Sequence, residues 1–473
     1  MEAVALALSL ALPWVLGIAV LAALGWPGGE PRAAAVAMRA GFGYVVGMIL
    51  LTLWMRALSA AGIGFGRLSI GLPLFAAAML LSAWAMRNAR LSIADFRSAV
   101  IALFRPSLEG WQRVAWVAVI VWLVVHFALM SAEIAWRPLY PWDAWVQWAT
   151  KARVWYELGH IAPFVHADQW LAGTGSGYFD ASPDYPATMP LMQVWTCVAL
   201  GRWDDSAMNW PWLAILISLT FAMYGAFRAE GIAPLTSLFG AYFLATLPLV
   251  DVHVALAGYA DLPMGAVYGL AAIAFYRWSV HRDKRDAIVA LFLALACPLI
   301  KNPGWIWALT IVPGVIVALL PRRGLRVVVA GFAVALLGVL VIARAQPTLL
   351  GYHLKLDFAP AWAQLVKSYY LMGNWNLLWY AVIVLMVLGW RRLSQPSLAP
   401  LAVVVAAGLL FLAIVFSFTT AAAWIADLTT ANRASMHLAP LLVFVSILLW
   451  HRMTRDSAET APAANSAPVS AAT

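Results

Sequence analysis

Residues 304–343 read GWIWALTIVPGVIVALLPRRGLRVVVAGFAVALLGVLVIA. Two apolar runs flank the turn Pro321-Arg322-Arg323-Gly324. At about 1.5 Å per helical residue, each run comes close to the roughly 30 Å of a bilayer's hydrocarbon core. Arginines in the short turn between such runs mark the end of a span, because a guanidinium in hydrocarbon is costly. This unit predicts an all-α polytopic membrane protein, and the rest of the chain repeats it. Of the 473 residues, 64% are hydrophobic and only 11% charged, less than half the charged share of an ordinary soluble domain, about 25%.

Working outward from 304–343, about thirteen transmembrane helices are expected. Their limits are near 3–25, 38–60, 67–87, 112–133, 207–227, 234–250, 260–278, 286–300, 304–320, 324–343, 376–390, 398–418 and 436–451. Arg87, Arg90, Arg97, Arg105, Arg113, Arg228, the run 277–285, Arg322, Arg323, Arg391, Arg392, Arg452 and Arg455 then fall on one face, which the positive-inside rule makes cytoplasmic. The segments 134–206, 251–260, 301–303, 344–375 and 419–435 fall on the other. This places the N-terminus outside and the C-terminus in the cytoplasm, in an inner (plasma) membrane. The alternation holds only if the apolar piece 188–200, short for a span, is interfacial or re-entrant.

The net charge of +9 is thereby read as topology, not as a nucleic-acid surface. Cys197 and Cys297 sit in apolar runs, which argues against a disulfide framework or a thiolate metal site. Residues 91–105, with Ile93, Phe96, Val100, Leu103 and Phe104 at helical spacing, read as an amphipathic helix on the anionic leaflet. The Ala/Pro/Ser-rich tail from Ser457 reads as disordered. Four regions follow: a three-span N-terminal region with its interfacial helix (1–110), a membrane core with the outer loop 134–206 (111–350), a C-terminal membrane region (351–456) and the tail (457–473).

Polar residues gather at the outer ends of the spans. The long loop opens with Trp142-Asp143-Ala144-Trp145-Val146-Gln147-Trp148 and reaches Lys151. As a helix this segment puts Asp143, Gln147 and Lys151 on one face, with tryptophans at headgroup level. Asp143 could equally be a helix N-cap. Asp184-Tyr185-Pro186 closes the loop as a rigid turn or a binding element. Asp251-Val252-His253 and Tyr259-Ala260-Asp261-Leu262-Pro263 follow, where Asp261 could cap a helix. Lys301-Asn302-Pro303-Gly304 is a tight outer turn whose lysine runs against the positive-inside bias and asks for an anionic partner. Arg433 and His437 stand four apart, on one helical face.

One outer carboxylate with several distant cations suits transfer from a membrane-held phosphate sugar. The carboxylate takes a proton from the incoming hydroxyl, and the cations receive the charge of the departing phosphate. The ordered set W-D-A-W, D-Y-P, Y-A-D-L-P, K-N-P-G and R-x-x-x-H resembles the GT-C superfamily of polyprenyl-phosphate-dependent membrane glycosyltransferases, which includes protein mannosyltransferases and aminoarabinose transferases. The resemblance covers roughly 112–343 and, more loosely, the remainder. It implies an inverting glycosyltransferase with Asp143 as general base and a donor phosphate at Lys301, Arg433 and His437. Asp261, with His253 and Asp251, would serve the acceptor or a metal, and Trp142, Trp145, Gln147, Lys151, Tyr185 and Tyr259 the sugar or interface. Pro303 stands where the commoner pattern has an acidic residue. A divalent cation is left open: Mg²⁺ or Mn²⁺ on carboxylates and water, Zn²⁺ if His253 joins. The expected partners are the bilayer, a polyprenyl-phosphate-linked sugar and a glycan, lipid or protein acceptor. A flippase for lipid-linked sugars and a non-catalytic glycan-assembly partner are the rival readings.

Overall fold

The structure, a computed structural model, describes residues 2–88, 90, 92–175, 177–342, 348–349, 352–353, 358 and 361–460. It is almost wholly helical. The N-terminal region holds α1 (Glu2–Leu24), α2 (Arg32–Ala60), α3 (Leu72–Arg87) and α4 (Ile93–Phe104). Then come α5 (Gly110–Trp136), α6 (Ala149–Leu158), α7 (Ala167–Leu171) and α8 (Thr188–Leu200). The central bundle is α9 (Trp210–Ala229), α10 (Pro234–Ala245), α11 (Pro248–Ala255), α12 (Asp261–His281), α13 (Lys284–Ile300), α14 (Gly304–Leu309), α15 (Val312–Leu319) and α16 (Gly324–Ile342). The chain ends with α17 (Trp362–Val366), α18 (Leu378–Leu388), α19 (Trp390–Leu393), α20 (Ala399–Phe418), α21 (Thr430–Met436) and α22 (Ala439–Thr460). Strand is limited, among the described residues, to four two-residue pieces.

Each apolar run of the sequence lies on a helix or a helix pair, but the lengths differ from those expected. Among the described residues six helical segments are long and apolar enough to cross a membrane, and up to eight if each bent pair forms one span. The run 304–320 is two short helices, α14 and α15, with Pro313 in the first turn of the second. The run 376–390 supplies only the eleven residues of α18. The piece 188–200 is a short helix, α8, with Thr188–Cys197 buried in protein. Its Trp195 Nε1 donates to Ser9 O of α1 at 2.8 Å, so α8 is packed within the protein. The helix α4 forms as expected, its start capped by the Ser92 hydroxyl; Leu91 and the Ile93 side chain lie outside the described residues. So do 461–473 of the tail, whose first residues continue α22.

Burial is greatest along α12, where every residue but three is buried, whereas α3 and α5 leave large apolar side chains such as Leu72, Leu80, Val114 and Trp122 exposed. Contiguous exposed apolar surface on this scale is foreign to a water-soluble monomer and suited to lipid. The N-terminal hairpin packs by backbone contact. A Cβ on Gly47 would stand 1.7 Å from Pro13 O, and one on Gly41 would stand 2.2 Å from Ala222 N of α9. With lipid as solvent, such small-residue contacts replace the hydrophobic drive between helices. Gly47→Val is therefore expected to cost about 1–3 kcal/mol or more by forcing α1 from α2. An unchanged thermal midpoint of the detergent-solubilised variant would contradict this packing.

Two bent pairs place the functional residues. Pro248 and Pro440 each remove an amide and end a preceding helix, leaving α10–α11 bent by 58° and α21–α22 by 56°. The Ala245 carbonyl at the first break meets His126 Nε2 of α5 at 3.1 Å, as a backbone group freed at membrane depth must find a partner. The short arms α11 and α21 are thus turned toward the start of α12. At the other end of α12, Arg277 Nη1 pairs with Glu30 at 2.8 Å and its Nε with Asp286 at 3.0 Å. Trp26 Nε1 donates to the same Asp286 carboxylate at 2.6 Å, tying the α1–α2 turn to the α12–α13 turn.

Candidate functional site

Five polar residues from four places in the chain meet at the N-terminal end of α12. Asp261 is wholly buried, and Ala260, not Asp261, occupies the N-cap position. Its carboxylate is held by two cations and an imidazole: Oδ1 lies 2.6 Å from Lys301 Nζ and 3.1 Å from His437 Nε2, and Oδ2 lies 3.0 Å from Arg433 Nε. Arg433 extends the chain of contacts, its Nη2 reaching Asp143 Oδ2 at 2.6 Å. The guanidinium carbon stands 4.2 Å from the centroid of the Tyr259 ring, a cation–π contact that fixes the plane of the fork.

Local sequence explains how each side chain arrives. Lys301 ends α13 in extended conformation, and Gly304 N donates to Lys301 O at 2.8 Å to close the turn. A Cβ at Gly304 would stand 2.1 Å from Cys297 O, so K-N-P-G needs its glycine for this close return. Arg433 and His437 lie one turn apart at the α21–α22 break, both directed at Asp261. His437 packs edge-on to Trp307, with ring centroids 5.4 Å apart. Its Nδ1 is buried without a hydrogen-bond partner.

Asp143 differs from the expectation in its surroundings. The segment is not one α-helix: Ala144–Trp148 form a π-helix, with α6 beginning at Ala149. A π-turn holds more residues than an α-turn, so the spacing Asp143, Gln147, Lys151 no longer shares a face. Gln147 and Lys151 are buried in protein. Lys151 Nζ donates to Ser182 O at 2.6 Å and stands 3.5 Å from Asp180 Oδ1, an ion pair that pins the outer loop together. Burial lowers the pKa of this lysine and raises that of Asp180, each partly countered by the other's charge. Asp143 makes no side-chain cap, and its carboxylate, one-third exposed, is turned to Arg433 at the cavity edge.

The cavity is about 200 Å³ and has two kinds of wall. Asp143, Asp261, Lys301, Arg433 and His437 line it together with the apolar Trp307, Phe411, Val415 and Phe416 from α14 and α20. Tyr185 lines it too, its ring packed at right angles on Trp148 at 5.4 Å. The remaining residues singled out from sequence lie around it. Trp142 and Trp145 are exposed and stack edge to face with each other. His253 is buried, its Nδ1 bonded to Leu249 O at 2.8 Å, its Nε2 without a partner and its ring 5.4 Å from that of Tyr259. Asp251 turns away and pairs with His126 Nε2 at 3.0 Å. Asp184 is exposed and pairs with His166. Trp307, Phe411, Val415 and Phe416 are cavity residues that the sequence did not single out, because an aromatic or apolar side chain in an apolar span carries no distinguishing signal.

Among the described residues no group of three or more His, Cys, Asp or Glu is arranged to hold a metal ion. Both cavity carboxylates are bridged by Arg433 instead, a donor set that does not fit a divalent cation. No protein family, curated protein or solved structure matches the chain.

Proposed function

We propose that this protein is an inverting membrane glycosyltransferase that moves a sugar from a polyprenyl-phosphate carrier to an envelope acceptor. In this reading the chain crosses the inner membrane about thirteen times in a GT-C-like arrangement, with several spans short or broken, and the cavity opens on the outer face. The observation that supports it best is the Asp143–Arg433–Asp261–Lys301 relay in a cavity also lined by apolar side chains. A partly exposed carboxylate, fixed cations and a greasy surface are what a hydroxyl acceptor, a leaving phosphate and its lipid require together.

The step balances with these residues alone. Asp143 takes the proton of the acceptor hydroxyl as its oxygen bonds the anomeric carbon from the face opposite the phosphate. The carbon–oxygen bond to phosphate breaks with inversion, and the polyprenyl phosphate leaves with the electron pair. Arg433 and Lys301 receive its negative charge; Asp261, buried between them, keeps both in place. The deciding assay is release of polyprenyl phosphate from a short-chain polyprenyl-phosphate sugar by the purified protein in liposomes, with envelope lipid, glycan and protein fractions as acceptors. Absence of release and of product with every fraction would overturn the reading.

Sidedness is testable without a substrate. A reporter enzyme active only outside the cytoplasm, inserted at Gly173 in the outer loop, is expected to be active. The same reporter at Asp283, between α12 and α13, is expected to be silent. The reverse pattern would put the cavity on the cytoplasmic side and exclude a periplasmic reaction.

A further inference from the structure

The arginine-rich end of the bundle carries a second cavity, unrelated to the proposed reaction. Asp261 and Arg277 stand near opposite ends of α12, sixteen residues and so about 24 Å apart, and Arg277 pairs with Glu30, which lines this second cleft. The cleft is about 370 Å³, bounded by the α1–α2 turn, the first turns of α2 and the amphipathic helix α4.

Its charges are unevenly satisfied. Glu30 is committed to Arg277, and Asp95 to Arg32 at 3.0 Å on the exposed rim. Arg39 and Arg90 also line the cleft, and among the described residues neither has a carboxylate within ion-pair distance. Each is anchored by a backbone carbonyl instead: Arg39 Nε donates to Trp26 O at 2.7 Å, and Arg90 donates to Ala23 O. A neutral anchor fixes a guanidinium without cancelling its charge, and leaves most of its five donors for another group. The adjacent N-terminus of α2 has no side-chain cap, which adds favourable potential for an anion.

Below the arginines the cleft is apolar and continuous with a groove. Leu103, Phe104 and Phe221 line both the cleft and a second cavity of about 270 Å³ that runs between α5, α9 and α10. Two guanidiniums without a carboxylate partner, Arg90 stacked on the Trp84 ring at 4.6 Å, open onto an apolar groove beside an amphipathic helix and match one ligand chemistry: a phosphodiester joined to acyl chains.

We propose that this cleft binds one anionic glycerophospholipid, its phosphate held by Arg39 and Arg90 and an acyl chain laid along the groove past Leu103, Phe104 and Phe221. The N-terminal hairpin and α4 thereby serve as a lipid-binding element, independent of any transferase activity. A lipid seated here lies against α2, α4, α5 and α9.

The test is titration of the full-length protein in mild detergent with phosphatidylglycerol or phosphatidylcholine of the same chain length, read by native mass spectrometry. A juxtamembrane cation contributes about a fivefold preference for an anionic lipid. Phosphatidylglycerol is therefore expected to bind tighter than phosphatidylcholine by about that factor per arginine. Arg90→Gln, at an exposed position, should weaken phosphatidylglycerol about fivefold and phosphatidylcholine, whose choline offsets the phosphate charge, by less. Arg39→Gln with Arg90→Gln should remove the preference, and Val100→Trp, which fills the cleft, should weaken both lipids. Equal binding of the two lipids by the parent, or unchanged binding by Arg90→Gln, overturns the proposal. Displacement of phosphatidylglycerol by excess inorganic phosphate would also overturn it, by showing an anion site without a lipid groove. Because Arg90 is exposed, its variant decides the matter even if the double variant fails to fold.

Discussion

Asp143→Asn is expected to insert, fold and bind the lipid-linked donor as the parent does, and to lose about 10²–10⁴-fold in transfer rate, the range a general base contributes. The amide oxygen still accepts from Arg433, so the contact at Oδ2 has a neutral substitute and the cavity edge keeps its shape. What disappears is the proton acceptor for the incoming hydroxyl, together with one of the two negative charges facing Arg433. The measurement is single-turnover transfer with saturating donor, alongside thermal melting of the same preparation. A variant that melts like the parent and transfers at the parent's rate would remove Asp143 from the mechanism. A variant that loses donor binding in proportion to rate would instead make the residue a binding group.

Asp261→Ala is expected to act through stability. Three nitrogens converge on this carboxylate, and its own burial is complete. Removing one side of a buried ion network leaves the other side's charge in a low dielectric, which costs about 3–5 kcal/mol. Lys301 and Arg433 would then repel each other across the vacated space, and α13, α21 and α12 would lose the group that joins them. A large fall in thermal midpoint at fixed scan rate, partly restored by adding Lys301→Met, is the expected pattern. If Asp261→Ala melted with the parent, the network would be no structural tie. The same pair of variants separates scaffold from chemistry: a doubly substituted protein that regains stability without transfer would show that Lys301 and Asp261 are needed together for the phosphate.

The two ends of α12 use the same physics for different results. At Arg277, Glu30 and Asp286 satisfy one cation fully and lock two turns together. At Asp261 the balance is reversed, one carboxylate among three nitrogens, and a second carboxylate is admitted only at the cavity edge. The first arrangement has nothing left to offer a ligand. The second can exchange Asp143 for a phosphate oxygen on Arg433 at little electrostatic cost, because one anion replaces another.

Much of the site was legible residue by residue, and little of its geometry was. Asp143, Asp261, Lys301, Arg433 and His437 stood out because a polar side chain at the end of an apolar span calls for an explanation. That they meet could not be read, since Asp143 and Arg433 are 290 positions apart and hydropathy describes only neighbours along the chain. The helical reading of 143–151 failed for a related reason. Propensity and spacing suggest a regular helix, but the π-turn is set by what surrounds the segment, including the Lys151–Asp180 pair and the ring contact of Trp148 with Tyr185. Asp251 and His253 looked alike in sequence, two polar residues in one turn. The break at Pro248 sends the first toward His126 on α5 and the second toward Tyr259.

The sequence by itself determined that this chain is helical and suited to lipid, where its apolar runs lie and which turns carry its charges, because all of these follow from the transfer cost of successive residues. Only the tertiary structure decided which runs become long helices and which are broken or buried, as with α8 and the α14–α15 pair. It also decided which charges become partners. Those choices depend on close backbone approach at glycines and on carbonyls freed at prolines. Above all they depend on the rule that a buried charge must meet its opposite, a condition imposed in three dimensions between segments that the chain keeps far apart.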